Sequence, residues 1–229
     1  MDGGAHQGET IAHFEKSNLY SQHPWMFAFE ANPNLIPDIP KKPNLTVLNK
    51  AVWTKDGTVE FYLGENTLSS SLFGDKKPGL SKTPIKVDSV DFGQWLKKNF
   101  SKDDVIFVKL DIEGAEYDVL DKMLKDESIT YVDRLYVEFH NEKVGVPEER
   151  DRELVSAIKK RASLSKLTLQ KRLKGTTFKI DLLKPGRSDG HAYFRINWFV
   201  YTSAAGTFAA TSKNSLVIFA VFSMTSGFI

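Results

Sequence analysis

Residues 104–126, DVIFVKLDIEGAEYDVLDKMLKD, decide the predicted fold of this chain. The stretch begins with a continuous apolar run, which predicts a buried strand, and it turns at Asp111 to Gly114. Beyond the turn, apolar residues recur at helical spacing from residue 119 to residue 124. A buried strand that leads directly into an amphipathic helix is typical of a parallel sheet covered by helices.

Predicted strands and helices alternate on both sides of this stretch. Short apolar runs predict strands in WMFAFEANP, LTVLNKAVW and RLYVEFH, and TVEFYLGEN followed by SSSLFG predicts a hairpin arm. Helical spacing predicts helices just after Gly8, in VDFGQWLKKNF and in EERDRELVSAIKKRA, whereas HAYFRINWFVYTS reads as closing antiparallel strands. The pattern indicates an α/β fold whose mostly parallel sheet carries helices on both faces.

The chain is predicted to form a single main domain over residues 1–205, followed by an apolar tail over residues 206–229. The stretch SLVIFAVFSMTSGFI in that tail is about 15 residues long, which is shorter than the roughly 18 to 20 residues that span a bilayer. Its length therefore favours a buried terminal strand or helix over a membrane anchor. The role of the tail stays open.

The composition is that of an ordinary globular chain. Lys and Arg number 31 and Asp and Glu 29, so the charge gives no argument for a nucleic-acid or anionic-membrane partner. The locally basic stretch KKRASLSKLTLQKRLK is interpreted as a solvated helix face. The chain has no Cys, which excludes disulfides, thiolate metal sites and a cysteine nucleophile and fits a cytoplasmic location.

A glycine-rich turn opens the chain in MDGGAHQGET. In an α/β nucleotide-binding unit such a turn follows a buried strand, but here only Met1 precedes Asp2. We therefore expect the first strand of the sheet to be missing and the domain to be truncated at its N-terminus.

Polar residues follow the predicted strands at the positions where a ligand binds an open α/β sheet. Glu30 follows the second strand, where its carboxylate can accept two hydrogen bonds from a ribose diol; the alternative is that it caps the next turn. This leaves NAD and S-adenosylmethionine as the main candidate ligands. The other strand-end residues are Asp2 with the glycines, Asn32, Asn49, Lys50, Asp111, Glu113, Glu138 and His140.

The order of residues in the glycine turn separates the two ligands. Dinucleotide sites use G-x-G-x-x-G, whereas this turn reads DGGAHQG from Asp2 to Gly8. A carboxylate ahead of the glycines would repel a pyrophosphate but suits the ammonium and sulfonium groups of S-adenosylmethionine. The sequence therefore favours S-adenosylmethionine.

Three blocks of the chain resemble the FkbM-type S-adenosylmethionine-dependent methyltransferases. DGGAHQGET is similar to the family's D-x-G-A-N-x-G turn, with His6 where Asn is usual, and FEANP is similar to its F-E-P-N-P block. VKLDIEGAEYDVL resembles its K-x-D-x-E-G-x-E block, which is the most specific of the three. SSSLF and VDSVDFGQWL also resemble family stretches, so that the resemblance covers roughly residues 2–140.

The resemblance implies a class I methyltransferase fold, which is a Rossmann-like, mostly parallel seven-stranded sheet. It also implies O-methylation of a sugar, glycan or natural product. Asp2, Gly4 and Gly8 would line the methionine part of the cofactor and Glu30 would hold the ribose. The full set of predicted cofactor-binding residues is Asp2, Gly3, Gly4, Ala5, His6, Gly8, Glu9, Thr10, Glu30, Ala31, Asn32, Ala51 and Asp111.

Methyl transfer to a hydroxyl needs positioning and a general base. The predicted catalytic residues are Asp111, Glu113 and His140, and His140 has the ordinary pKa best suited to accept a proton, although a structural role for it stays open. Glu116 is interpreted as an acid that offsets a helix dipole. No metal is predicted; the alternative is that these acids, Glu138 and His140 hold a divalent cation.

The expected acceptor is a small molecule or glycan with a free hydroxyl. No nucleic-acid partner and no clear membrane partner are predicted. The sequence makes no prediction of the oligomeric state. The serines at 69–71 are a further candidate contact for the acceptor, and a plain polar turn explains them almost as well. Two other functions remain as alternatives, namely a degenerate cofactor-fold binding protein without catalysis and an NAD-linked oxidoreductase.

Overall fold

The computed structural model of the chain describes residues 1–17, 20, 24–64, 69–76, 80–81, 83–162, 167–171, 176–183, 195–202 and 216–218. The chain divides into two compact units. The first unit comprises residues 1–8 and 25–172, and the second comprises residues 9–24 and 173–229.

The strands are β1 (Asp2–Gly3), β2 (Met26–Phe29), β3 (Leu45–Leu48), β4 (Ala51–Trp53), β5 (Gly57–Phe61), β6 (Ile85–Asp91), β7 (Phe107–Leu110), β8 (Arg134–Val137), β9 (Thr168–Lys171), β10 (Thr176–Leu183), β11 (Arg195–Thr202) and β12 (Leu216–Ile218). The α-helices are α1 (Glu9–Phe14), α2 (Phe92–Asn99), α3 (Glu116–Lys125), α4 (Asn141–Val144) and α5 (Glu148–Ala162). Short 3₁₀ turns lie at Ile36–Asp38 and Ser128–Tyr131.

The first unit is built on a parallel sheet with the strand order β3-β2-β1-β7-β8-β9. The prediction of an α/β fold with a mostly parallel sheet is confirmed. This sheet has six strands in the part of the chain that the structure describes, where the family resemblance implied seven.

The strand that we expected to be missing is present as a two-residue strand, β1. Asp2 pairs with Ala28 of β2 on one side and with Lys109 of β7 on the other. The strand order reverses at β1, because β2 and β3 lie on one side of it and β7, β8 and β9 on the other. In an open parallel sheet, the crevice outside the carboxyl ends at such a reversal is where ligands bind.

A smaller sheet in the same unit has the order β4-β6-β5, with β4 parallel and β5 antiparallel to β6. The stretch LTVLNKAVW, predicted as a single strand, is divided between the two sheets at Asn49 and Lys50. The Asn49 side-chain amide donates hydrogen bonds to the carbonyl oxygens of Glu30 (2.8 Å) and Ala31 (3.2 Å). These bonds hold the crossing point next to the end of β2.

Helices α2, α3 and α5 contribute the apolar faces that their sequences predict. Phe92 and Leu96 of α2, Leu120 of α3, and Leu154 and Ile158 of α5 are all buried in the same core. The helix α2 begins where the Asp91 carboxylate accepts a hydrogen bond from the backbone N–H of Gln94 (3.1 Å). Because the apolar stripes recur at helical spacing, these elements were readable from the sequence.

The second unit contains α1 and a sheet in which β10 pairs antiparallel with both β11 and β12. The antiparallel arrangement predicted for HAYFRINWFVYTS is confirmed from Arg195 onward. Of the apolar tail, residues 216–218 form β12, and the other residues of 206–229 lie outside the described residues.

The basic stretch of residues 159–174 is not one helix face, as we had interpreted it. Helix α5 ends at Ala162, and Thr168–Lys171 form β9 at the edge of the parallel sheet. Within the ranges that the structure describes, no helix has both the length and the apolar composition needed to cross a membrane.

Candidate active site

The glycine turn leaves β1 at the carboxyl edge of the parallel sheet and packs directly against the end of β7. The backbone N–H groups of Gly4 and Ala5 both donate to the carbonyl oxygen of Phe29, at 3.0 Å each. Gly4 has φ +78°, and a Cβ at this position would overlap the carbonyl oxygen of Asp111. The turn therefore requires glycine for a structural reason, whatever it binds.

Glu30 joins the end of β2 to the glycine turn. Its Oε2 accepts a hydrogen bond from the backbone N–H of His6 (2.8 Å), and its Oε1 accepts one from Asn32 (2.7 Å). Burial raises the pKa of Glu30, although these two N–H groups favour its charged form. Glu30 thus caps the next turn, as one reading of the sequence held, and each of its oxygens has a second lone pair for a ligand.

Lys109 is a residue that the sequence reasoning missed. Its Nζ lies 2.9 Å from the carbonyl oxygen of Gly4, 3.1 Å from Asp2 Oδ1 and 3.5 Å from Asp111 Oδ2. Burial alone would lower the pKa of Lys109, but the charges of Asp2 and Asp111 raise it above the ordinary value. A lysine inside a buried strand was the available signal, because such a charge needs partners.

These contacts change the interpretation of Asp2. It was expected to offer a carboxylate to the cofactor's ammonium group, but it lies within β1, is 5% exposed and pairs with Lys109. Asp2 and Asp111 both pair with the single ammonium group of Lys109, so among these three side chains the carboxylates outnumber the ammonium group. The edge therefore still suits a positively charged ligand.

The three predicted catalytic residues lie together. His140 Nε2 is 3.5 Å from Glu113 Oε1 and 3.7 Å from Asp111 Oδ1, and one donor atom from each residue lies within 4.8 Å of the others. Asp111 and Glu113 follow β7, and His140 follows the neighbouring β8. The expectation that they meet at one edge of the sheet is confirmed, whereas their catalytic role stays a prediction.

Glu116 organises this cluster. It is fully buried, and its carboxylate accepts hydrogen bonds from the backbone N–H groups of Ile112 (2.8 Å) and Gly114 (2.9 Å). Its Oε1 also lies 3.0 Å from His140 Nδ1. Glu116 therefore does more than offset the helix dipole, because its carboxylate fixes both the Asp111–Gly114 turn and the imidazole ring.

The charges around His140 alter its acidity. Burial would lower the pKa of His140, but Glu116, Glu113 and Asp111 together raise it to about 9. The ordinary pKa of histidine, which is near neutrality, predicts that His140 accepts a proton, but the pKa of this side chain in its surroundings lies higher. Without a ligand, the imidazole holds its proton at neutral pH.

Two lysines stand on the other side of Glu113. Its Oε2 lies 2.5 Å from Lys76 Nζ and 3.2 Å from Lys143 Nζ. Lys76 is 2% exposed and burial lowers its pKa, yet nothing in the surrounding sequence pointed to it. The Glu113 carboxylate is therefore placed between cationic groups and His140.

The serines proposed for acceptor contact form hydrogen bonds within the protein. The Ser71 hydroxyl donates to the carbonyl oxygen of Glu113 (2.8 Å) and accepts from the backbone N–H of Phe73 (3.1 Å). The Ser70 hydroxyl accepts from the backbone N–H of Gly64 (3.1 Å). These contacts favour the reading of this segment as a polar turn.

The remaining predicted cofactor residues lie at several places in the chain. Asn32 is 5% exposed, and its side-chain oxygen accepts from the N–H of Asn34 (3.1 Å). His6 has φ +49°, a left-handed conformation that histidine tolerates better than most residues. Gly3 lies in β1, Ala5 and Gly8 in the glycine turn, Ala31 after β2, Ala51 in β4, and Glu9 and Thr10 at the start of α1 in the second unit.

Replacing Glu116 by Gln is expected to lower the free energy of unfolding by about 1–3 kcal/mol, because an amide NH₂ would face backbone N–H groups that need an acceptor. Urea denaturation followed by circular dichroism measures the change. Glu127→Gln is the control, since Glu127 is an exposed acid paired with Arg161, and a change of about 0.5 kcal/mol or less is expected there. Equal values for the two variants would contradict the role of Glu116.

The family model of the methyltransferase FkbM domain matches residues 2–161. No curated protein and no solved structure was found to match. The matched range covers well over half of the chain and contains the glycine turn, Glu30 and the cluster around His140. The chain therefore belongs to the FkbM methyltransferase family.

Proposed function

We propose that this methyltransferase takes its methyl group from S-adenosylmethionine and transfers it to a hydroxyl oxygen of a sugar, glycan or other small molecule. The observation that carries the proposal is the junction of Glu30 with the glycine turn. The Glu30 carboxylate accepts a hydrogen bond from the backbone N–H of His6 at the point where the strand order of the parallel sheet reverses. This is the place at which α/β sheets bind nucleoside-containing ligands.

The residues at this edge fit S-adenosylmethionine in charge and in hydrogen-bonding capacity. Glu30 is 7% exposed, and its remaining lone pairs suit the two hydroxyls of an unmodified ribose. The excess of carboxylates around Lys109 favours a cofactor with ammonium and sulfonium groups and disfavours a pyrophosphate. Residues of the glycine turn and Asp111 would line the methionine part.

When bound, S-adenosylmethionine supplies a methyl group on a sulfonium; the acceptor oxygen takes that carbon and loses its proton, and the sulfur leaves as the thioether of S-adenosylhomocysteine. The contribution of the chain is to position the acceptor and to remove its proton. Asp111 and Glu113 are the carboxylates proposed to receive the acceptor hydroxyl. Lys109 and Glu116 are positioning residues. Lys109 pairs with the Asp111 carboxylate and holds the glycine turn, and Glu116 holds the turn that carries Glu113.

Glu30→Gln is expected to weaken the binding of S-adenosylmethionine about 10- to 100-fold, since a hydrogen bond to a charged acceptor contributes about 1.5–3 kcal/mol. Isothermal titration of the chain with S-adenosylmethionine, S-adenosylhomocysteine and NAD measures the affinities. Glu60→Gln is the matched control, because Glu60 is an exposed carboxylate on β5. Circular dichroism verifies that each variant is folded.

Each outcome bears on one function. Tight binding of the two adenosyl-sulfur ligands, weakened only in Glu30→Gln, supports the proposal. Binding of NAD in their place would favour the oxidoreductase alternative. Binding of neither by a folded chain would favour the degenerate binding protein.

The acceptor is proposed on chemical grounds. The nearly balanced charge of the chain gives no support for a polyanionic partner, and this favours a neutral hydroxyl compound such as a sugar or glycan. A screen of sugars with an isotope-labelled methyl donor, read by mass spectrometry, tests this class. The cytoplasmic location remains a prediction from the cysteine-free composition.

A further inference from the structure

We propose that Asp111, Glu113 and His140 form a binding site for one divalent transition-metal ion. The binding of the ion does not depend on the proposed function. That the acceptor hydroxyl binds this ion, which Asp111 and Glu113 would hold at the place where they are proposed to receive that hydroxyl, rests on the proposed function.

The spacing of the donor atoms is the first argument. His140 Nε2 lies 3.5 Å from Glu113 Oε1, 3.7 Å from Asp111 Oδ1 and 3.9 Å from Glu138 Oε1. These separations exceed the roughly 2.7–3.2 Å of a hydrogen bond from nitrogen to oxygen. With metal–ligand bonds of about 2.0–2.2 Å, neighbouring ligand atoms are about 3.0–3.6 Å apart, so the first two separations require little adjustment around an ion.

The state of His140 is the second and independent argument. The residue is 5% exposed, and its Nε2 has no hydrogen-bond partner although it points among the carboxylates. Three carboxylate oxygens lie at ion-pair distance, but a buried ring nitrogen that makes no hydrogen bond is costly unless a ligand uses it. The arrangement of His140 and its neighbours therefore indicates a ligand at Nε2.

The other ring nitrogen is held as in metal-binding histidines. His140 Nδ1 lies 3.0 Å from Glu116 Oε1, so that this fully buried carboxylate can accept the Nδ1 proton. A carboxylate that accepts a hydrogen bond from one ring N–H fixes the tautomer in which the other ring nitrogen has a lone pair for the metal. Glu116 would thus be the residue that orients the ligand without touching the ion.

The two proposed carboxylate ligands each direct one oxygen to His140 and also contact a lysine, and Lys143 Nζ lies 3.5 Å from the Glu113 Oε1 that is directed to His140. Asp111 Oδ2 faces Lys109 while its Oδ1 faces the imidazole. Glu113 Oε2 faces Lys76 and Lys143 while its Oε1 faces the imidazole. The lysines fix the two carboxylates and reduce the repulsion between them. One oxygen of each carboxylate is directed to the space beside His140 Nε2.

The donor set identifies the class of ion. One imidazole nitrogen and two carboxylate oxygens suit Mn²⁺ or Zn²⁺ better than Ca²⁺, which prefers oxygen ligands alone. Three protein ligands leave a coordination position open. An acceptor hydroxyl bound there would have a lower pKa, with its proton passing to solvent or to a nearby carboxylate such as Glu138.

The test is isothermal titration of the chelator-treated full chain with MnCl₂ and ZnCl₂, with CaCl₂ as comparison. We expect one Mn²⁺ or Zn²⁺ to bind per chain. In His140→Gln the affinity for the ion should fall at least about tenfold, in keeping with the loss of one ligand. His13→Gln, which alters a histidine in α1, should bind as the unaltered chain does. Pulsed electron paramagnetic resonance of the Mn²⁺ complex should show coupling to an imidazole nitrogen that disappears in His140→Gln.

If His140→Gln does not fold, Glu113→Gln replaces it, with the same expected loss of affinity for the ion and with the resonance measured on the unaltered chain. Failure to bind an ion stoichiometrically, equal affinity in His140→Gln, or absence of nitrogen coupling would overturn the proposal. In that case His140 is an imidazolium paired with the surrounding carboxylates. S-adenosylmethionine is titrated separately, so that loss of the metal site and loss of the proposed function give different results.

Discussion

Lys109→Met is expected to lower the free energy of unfolding of the first unit by about 3–5 kcal/mol, because removing one partner of a buried ion pair leaves the other charge uncompensated. The Lys109 side chain is 10% exposed and that of Asp2 is 7% exposed, so water cannot replace the lost ammonium group. The variant also loses the hydrogen bond to the carbonyl oxygen of Gly4. Urea denaturation monitored by tryptophan fluorescence measures the change.

Lys122→Met is the matched control for this variant. Lys122 also pairs with two carboxylates, Asp91 and Asp126, but its side chain is 30% exposed. Water reaches this partly exposed pair and screens its charges, as it does for surface ion pairs that contribute about 0–1 kcal/mol, so a smaller change than in Lys109→Met is expected. Addition of Asp2→Asn to Lys109→Met should restore part of the stability by removing a stranded charge. A double variant no more stable than Lys109→Met alone would contradict the explanation.

Gly4→Ala is expected to lower the free energy of unfolding by about 2–5 kcal/mol, because a left-handed residue other than glycine costs about 1–2 kcal/mol and displacing packed backbone adds about 1–3 kcal/mol. The added Cβ would overlap the carbonyl oxygen of Asp111, which is backbone and has no rotamer to change. The turn after β7 would have to move away from the turn after β1. We therefore also expect weaker binding of S-adenosylmethionine, measured by the titration described above.

Gly145→Ala separates the two causes. Gly145 has φ +70°, close to that of Gly4, but a Cβ there meets nothing within 4 Å. Its loss of stability should be about 1–2 kcal/mol, which is the conformational cost alone. If Gly4→Ala and Gly145→Ala lower stability equally, the close approach to Asp111 contributes nothing and the structural reason for Gly4 is incorrect.

Lys109→Met and Gly4→Ala both alter the contact between the turn after β1 and the turn after β7. Lys109 and Gly4 link the turn after β1 to the turn after β7, and Glu30 links the first of these turns to the end of β2. The proposed cofactor site and the cluster around His140 thus share Asp111. A change at this residue should therefore affect the binding of both ligands.

Several features were readable from the sequence because they depend on neighbouring residues. Helix α5 has the bounds predicted from its apolar spacing, Glu148–Ala162, and the strand, turn and helix of residues 104–126 form as predicted. The strand-end positions of Glu30 and His140 also followed from local pattern. Periodicity and turn chemistry act over a few residues, and a single sequence contains that information.

Other features were decided by the tertiary structure alone. Strand β1 is paired by β2 on one side and by β7 on the other, and no local pattern reports this pairing. Lys109 meets Gly4 across 105 positions of the chain, and Glu116 meets His140 across 24. The packing of the sheet determines which of these residues meet. It also determines their pKa values, because the charge around a buried group depends on which distant residues the fold brings to it.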